Sequence, residues 1–354
     1  MMIQLIQEHL SKYPKMQAQD IIKLIYQNEF GGGHMIDNCN LSLERIRDEV
    51  RGVEGQGLEY EEIGNDLIRV YLGDLNELQM ITLNQLFVYC ANQTRGSIDS
   101  FINKLEELKL ACKTGKINFD YGLICKEIDK YEKLNYPPIS HSHSYHETYQ
   151  PHYRVLNKKV FDYFEIILKI NELLLEHHSL NVAIDGKCGS GKSTLGRLIA
   201  TIYNANLFKM DDFFLQSFQR NEARLALPGG NVDYERFKET VIEPLKQKEN
   251  VEYQRFDCSK MALDEHIEII NYCPINVIEG TYSMHPYFGS FYDYTIALNI
   301  SDSMQEKRIL ERNGKIMLEK FKKIWIPLEN KYFESYDIFN QADYLYDCTL
   351  KTII

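Results

Sequence analysis

Apolar positions at helical spacing dominate the first 135 residues. Ile21, Leu24 and Ile25, then Leu43, Ile46 and Val50, fall three or four apart; Leu83, Leu86, Phe87 and Cys90 form another stripe. Ile98, Phe101, Ile102, Leu105 and Leu108 follow, with Ser97 placed to cap their helix. These stripes predict a mainly α N-terminal domain over residues 1–135, with no repeat period. From residue 179 the pattern changes. Short apolar runs at 181–184, 205–210, 275–278, 295–300 and 344–346 suit buried strands, and Leu195, Leu198, Ile199, Ile202 and Tyr203 share one helix face. That alternation predicts an α/β domain over 179–354, a mostly parallel sheet flanked by helices. Between the two, residues 136–178 read as a Pro/His/Tyr-rich linker and a connecting helix. Pro137 and Pro138 favour an extended connection, and Val160, Phe164, Ile167 and Leu168 then lie on one face. Ser303 and Glu306 have the spacing of a capping box for the helix after the 295–300 strand.

The strand at 181–184 runs into Gly186-Lys187-Cys188-Gly189-Ser190-Gly191-Lys192-Ser193-Thr194, which fits G-x-x-x-x-G-K-[ST]. Strand, glycine-rich loop and amphipathic helix are the context this phosphate-binding motif requires. Glycines let the backbone curl and turn its N–H groups inward. The helix N-terminus adds partial positive charge. Lys192 can reach the β- and γ-phosphates, and the Ser193 hydroxyl can ligate Mg²⁺. Cys188 lies in the same loop; it reads either as a small loop residue with no role of its own or as an oxidation-sensitive thiol, since a helix N-terminus lowers a thiol pKa. The next strand ends in Asp211-Asp212-Phe213-Phe214. Ligands gather at the carboxyl ends of strands in an open α/β sheet, so one of these carboxylates can accept the proton of an attacking hydroxyl. The other, Asp212, can help to hold Mg²⁺, and Glu279 ends a further strand in the same way.

Residues 179–354 resemble the uridine kinase and phosphoribulokinase-like branch of P-loop kinases. The resemblance rests on the phosphate loop, the Asp211–Phe214 segment, the 228–237 turn before a helix, the 253–257 strand and the 275–280 strand ending in Glu279, in that order. It implies ATP, or another NTP, bound as its Mg²⁺ complex, with Asp211 as catalytic base and Lys192, Arg308 and Arg312 on the phosphates. It places Phe214, Asn231, Tyr253, Arg255 and Asp257 with Asp211 on the acceptor side. The implied activity is phosphorylation of a hydroxyl on a small, nucleoside-like molecule. Lys260 and Met261 depart from the uridine kinase pattern, and Asn313-Gly314-Lys315 stands where the family's lid is richer in arginine.

No resemblance covers residues 1–135. There Gly31-Gly32-Gly33-His34 follows a helical stripe, either as a helix cap or as backbone that approaches a ligand. The stretch 141–154 holds four histidines, three tyrosines and Arg154. His141 and His143 would project together if it were a strand, so metal binding, a ligand-facing loop and interdomain packing all stay open. His34 and Arg154 are accordingly candidates for the acceptor site. Two other functions remain: a nucleotide-hydrolysing switch, or a bifunctional enzyme with a second site in the N-terminal domain.

Composition narrows the partners. The 354 residues are 44% hydrophobic and 26% charged, with net charge −11, which argues against general nucleic-acid binding. No apolar run approaches a membrane span, and the N-terminus lacks a signal-peptide pattern. Eight cysteines without C-x-x-C spacing read as reduced thiols of a cytoplasmic protein. The chain is compatible with an oligomer.

Overall fold

A computed structural model describes residues 2–32, 35–53, 55, 57–93, 95–350 and 352–353. It divides the chain into two compact units, Met1–Leu168 and Lys169–Ile354. Among the described residues, no helix is long and apolar enough to cross a membrane.

The first unit contains the helices that the stripes predict: Ala18–Phe30, Cys39–Val50, Glu77–Ala91 and Ile98–Lys113, joined by Met2–Lys12 and Tyr121–Glu132. Ser97 caps its helix, its hydroxyl accepting from the Ser100 N–H at 3.2 Å. Ile21, Ile22, Leu24 and Ile25 are fully buried and pack with Phe101, Leu105 and Leu108. Gly31 ends the Ala18–Phe30 helix at φ 66°, so the cap reading holds there. Gly33 and His34 lie outside the described residues.

The unit also holds a sheet that the helical stripes did not predict. Strands β1 (Tyr60–Gly64), β2 (Leu67–Tyr71) and β3 (Tyr153–Asn157) pair antiparallel in the order β1-β2-β3. Asn65 and Asp66, at φ 54° and 58°, make the tight β1–β2 turn. Because β3 pairs with β2, the residues read as a linker belong to the first unit, and the connecting helix is shorter, Phe164–Glu176. His141 and His143 do not project together. Ser142 caps a helix over His143–Tyr149; His143 is exposed beside Glu147, while His141 is buried. No cluster of metal-ligating side chains occurs among the described residues.

His141 instead joins a buried polar chain. Burial holds its pKa down to about 4, so the ring is neutral and has one donor and one acceptor nitrogen. Nδ1–H then donates to Asp20 at 3.0 Å, and Nε2 accepts from the Tyr153 hydroxyl at 2.6 Å. Gln27 Nε2 donates to that hydroxyl at 3.2 Å, while Gln27 Oε1 accepts from the buried Arg69 at 2.7 and 3.0 Å. Arg154, from β3, forks onto Glu49 at 2.8 and 2.9 Å.

The second unit is built on a six-stranded sheet. Its strands are β4 (Leu180–Gly186), β5 (Asn206–Lys209), β8 (Ile275–Glu279), β9 (Tyr294–Asn299), β10 (Tyr344–Asp347) and β11 (Thr352–Ile353), ordered β11-β10-β9-β4-β8-β5. All are parallel except β11. Between β5 and β8 in sequence, β6 (Val251–Asp257) and β7 (Ala262–Ile270) form a separate hairpin. Numbered along the chain, the parallel strands run 2-3-1-4-5, so β4 is central and connections leave it to both sides. Buried on both faces, such strands read as continuous apolar runs, as Val182–Ile184, Val277–Ile278 and Ile296–Leu298 do. Glu279 and Gly186 end adjacent strands at one edge of this sheet. The helix Asp302–Lys320 opens on Ser301 rather than Ser303; the Ser301 hydroxyl accepts from the Met304 N–H at 3.4 Å. It is broken at Gly314, where φ is 78° and ψ 172°.

Candidate active site

The phosphate loop leaves the end of β4 and enters the helix Lys192–Tyr203. Gly186 has φ 134°, and a Cβ there would lie 2.1 Å from the Leu298 carbonyl oxygen on β9. Only glycine lets β4 turn out of the sheet this close to its neighbour. Gly191 caps the helix at φ 111°. Gly196, one turn on, faces the Glu279 side chain, its added Cβ meeting it at 3.3 Å; the helix therefore packs tightly on β8.

The loop's backbone groups divide cleanly. The Lys187 N–H donates to Leu298 O at 3.2 Å, the Ser190 N–H to Lys187 O at 3.2 Å, and the Cys188 N–H to Glu329 at 3.0 Å. Among the described residues, the N–H groups of Gly189, Gly191, Lys192 and Ser193 have no acceptor within the protein. The buried Ser190 hydroxyl also lacks a partner among the described residues. Several orphan donors at a helix N-terminus fit an anion, and phosphate oxygens match them. Lys192 is buried, and its ammonium donates to Gly186 O at 2.7 Å and Lys187 O at 3.0 Å. Thr281, just past β8, donates to the same Gly186 oxygen at 3.0 Å. Lys187 pairs with Asp302 at 3.0 Å.

The carboxylates sort into two groups. Glu279, buried at the end of β8, accepts from the Ser193 hydroxyl at 3.1 Å. Burial raises its pKa, the nearby Asp211 charge raises it further, and Lys192 opposes both. A hydroxyl and a carboxylate in contact suit a hard divalent cation such as Mg²⁺. Asp211 is exposed. Asp212, expected beside the metal, turns to the hairpin: its carboxylate accepts from the Tyr253 hydroxyl at 3.2 Å and lies 3.7 Å from Arg255 Nε. Burial raises its pKa, with Arg255 opposing. Arg236 donates to the Asp212 carbonyl at 2.9 Å, which fixes this turn.

The other acceptor-side candidates are spread around that wall. Arg255 is half exposed and also pairs with Glu268 at 3.1 Å. Phe214 packs edge-on to Phe256, with ring centroids 6.2 Å apart. The Asn231 side chain meets the Tyr282 hydroxyl, and its buried Oδ1 has no partner among the described residues. Asp257 serves the hairpin turn, accepting from Ser259 N and Oγ at 2.8 and 2.6 Å. Arg308 donates to Gly189 O at 2.9 Å, so it grips the loop itself, whereas Arg312 is exposed and bonded to Asn313. For Cys188 the geometry goes against the oxidation-sensitive alternative. Burial, reinforced by Glu329, pushes its thiol up to about 12, so it is not a ready thiolate.

Two buried carboxylates at the loop escaped the sequence reading. Asp185 is fully buried and accepts from the N–H groups of Gly186, Tyr282 and Met284 at 2.6, 3.2 and 2.9 Å, and from the Tyr332 hydroxyl at 2.8 Å. It ties the loop's first residue to the turn after β8 and to the helix Ile326–Ser335. Glu329 lies on that helix, one turn before Tyr332.

Strand order, loop and carboxylates define the second unit as a P-loop kinase fold. No family model and no curated protein matches the chain. Among solved structures it is similar to a possible uridine kinase from Bacillus stearothermophilus, at 18% identity and TM-score 0.37, covering 50% of this chain and 94% of that one. It is similar to D-glycerate 3-kinase from Cryptococcus neoformans at 13% identity and TM-score 0.33, covering 50% and 88%. Shikimate kinase from Bacteroides thetaiotaomicron gives 16% identity and TM-score 0.26, covering 48% and 86%. At such scores the fold assignment rests on the topology and the loop.

Proposed function

We propose that this chain is a small-molecule kinase that transfers a phosphoryl group from ATP, or another NTP, to a hydroxyl of a small acceptor, with nucleoside-like acceptors favoured. The observation that carries the reading is the Ser193–Glu279 contact at 3.1 Å beneath a loop with four unpartnered N–H groups. The Mg²⁺ complex of the nucleotide supplies the phosphoryl group and the countercharge. Gly189, Gly191, Lys192 and Ser193 offer their N–H groups to phosphate oxygens, and the Lys192 ammonium exchanges loop carbonyls for phosphate. Ser193 and Glu279 hold the metal. Asp211, exposed at the strand edge, takes the proton from the acceptor hydroxyl. Asp212, Tyr253 and Arg255 form the wall against which the acceptor lies. Such chemistry is mainly positioning and electrostatics.

The test is acceptor-dependent ADP formation, screened over nucleosides first, then vitamins, sugars and polyols, with Lys192→Ala as control. A nucleoside that raises ADP formation in the wild type and not in a folded Lys192→Ala variant supports the reading. Nucleotide hydrolysis at one rate, whatever acceptor is added, would instead favour a switch.

A further inference from the structure

The segment Ser301–Ser335 grips the phosphate loop at three successive residues. Gln305 Nε2 donates to Cys188 O at 3.1 Å and lies 3.3 Å from its sulfur. Arg308 Nη1 donates to Gly189 O at 2.9 Å and lies 3.4 Å from Ser190 O. Glu329 Oε2 accepts from the Cys188 N–H at 3.0 Å. The first two contacts place donors on carbonyls. The third places a carboxylate, 6% exposed, on an N–H of an anion-binding loop.

Packing is a poor reason for such a group. A buried carboxylate is costly unless its hydrogen bonds are made, and an apolar residue of similar volume often packs as stably. Burial raises the Glu329 pKa; the Lys192 charge and the hydrogen bonds from the Cys188 amide and thiol oppose this, and Asp185 adds to it. What the carboxylate accomplishes is set by the loop's other N–H groups. Those of Lys187 and Ser190 are satisfied by carbonyls, and that of Cys188, between them, has Glu329 alone among the described residues. The Lys187 carbonyl of the same peptide plane accepts from the Ser190 N–H and the Lys192 ammonium, and Glu329 holds the opposite side of that plane. The donors of Gly189, Gly191, Lys192 and Ser193 follow directly in the chain, so their aim depends on that plane.

We infer that Glu329 is a positioning residue for nucleotide: its carboxylate oxygen on the Cys188 amide sets the loop so that the remaining N–H groups converge on phosphate. The inference rests on the phosphate-loop reading of the site. The substitution Glu329→Gln keeps an acceptor oxygen; Glu329→Met keeps length and loses it.

The experiment is equilibrium titration of full-length protein with Mg·ADP, together with acceptor KM at saturating ATP. One hydrogen bond holding a loop predicts a Kd within about threefold of wild type for Glu329→Gln and at least about tenfold weaker for Glu329→Met. Acceptor KM stays unchanged in both, which a general loss of structure would not produce. A folded Glu329→Met with wild-type Kd overturns the inference, and so does Glu329→Gln as weak as Glu329→Met. If Glu329→Met does not fold, the wild type decides. With ¹⁵N-cysteine label, and the Cys188 signal assigned through Cys188→Ser, the Cys188 amide should exchange slowly with solvent both with and without nucleotide; fast exchange overturns the inference. A wild type that binds no nucleotide brings down the phosphate-loop reading and this inference together. A wild type that binds, beside an indifferent Glu329→Met, brings down only the inference.

Discussion

The Ser193 hydroxyl donates to Glu279 at 3.1 Å, joining the first turn of the phosphate helix to the end of β8. Both groups offer hard oxygen atoms of the kind that ligate Mg²⁺, and Gly196 lets the helix lie close enough for them to meet. Glu279→Gln should therefore raise the Mg²⁺ concentration for half-maximal activity by about tenfold, in proportion to one lost charge-assisted contact. Nucleotide binding measured without metal should change little. A Mg²⁺ titration of acceptor-dependent ADP formation checks this, and an unchanged midpoint would remove Glu279 from the metal site.

Asp211 and Asp212 are adjacent in sequence and differ in surroundings. Asp211→Asn should lower kcat by about 10²–10⁴-fold, as loss of a general base does, with nucleotide affinity preserved. Asp212 is committed to Tyr253 and Arg255, so Asp212→Asn should act mainly on acceptor KM. Steady-state kinetics on both variants separate these effects. A larger kcat loss in Asp212→Asn would exchange the two roles.

Gly186→Ala should cost about 3 kcal/mol or more, because positive-φ strain and a backbone clash act together. The clash is with the Leu298 carbonyl, on the neighbouring strand, which cannot rotate away. Chemical denaturation of the variant should show the second unit unfolding early; a midpoint equal to wild type would contradict the geometry.

Acid should destabilise the protein through its buried histidines. Burial holds His9, His141 and His285 each down to about 4, from an ordinary value of 6.5. Between those values the unfolded chain binds more protons than the folded one, so stability is complete above about 6.5 and falls as pH drops toward 4. The upper bound is about 3 kcal/mol for each histidine. Asp20, whose pKa is lowered, adds its loss only at still lower pH. Thermal unfolding from pH 7.5 to 4.5 should show a steadily falling Tm; a flat profile would mean that these rings are protonated in the folded state.

What the sequence made legible was what is local or set by strand ends. Gly186, Lys192 and Ser193 lie within one strand-loop-helix unit, and Glu279 could be placed from the rule that parallel strands point their carboxyl ends at ligand. Glu329 and Asp185 were not legible, since their meaning lies in contacts with Cys188 and Tyr332, each more than a hundred residues away in the chain. The sheet β1-β2-β3 was hidden for another reason. Its strands bury Glu61 and Arg69, so polar residues stand where alternation would need apolar ones, and its third strand comes long after the first two. The Asn65-Asp66 pair was the one turn signal available.

The chain of hydrogen bonds from Arg69 through Gln27, Tyr153 and His141 to Asp20 has a consequence of its own. Each link has a direction, so turning over the Gln27 amide takes the acceptor from Arg69, and moving the His141 proton to its other nitrogen takes the donor from Asp20. Apolar side chains tolerate small repackings; this sequence of donors does not. The core of the N-terminal unit is thereby specified by the direction of its hydrogen bonds as well as by its volume: a misplaced side chain there leaves its neighbours' groups without partners.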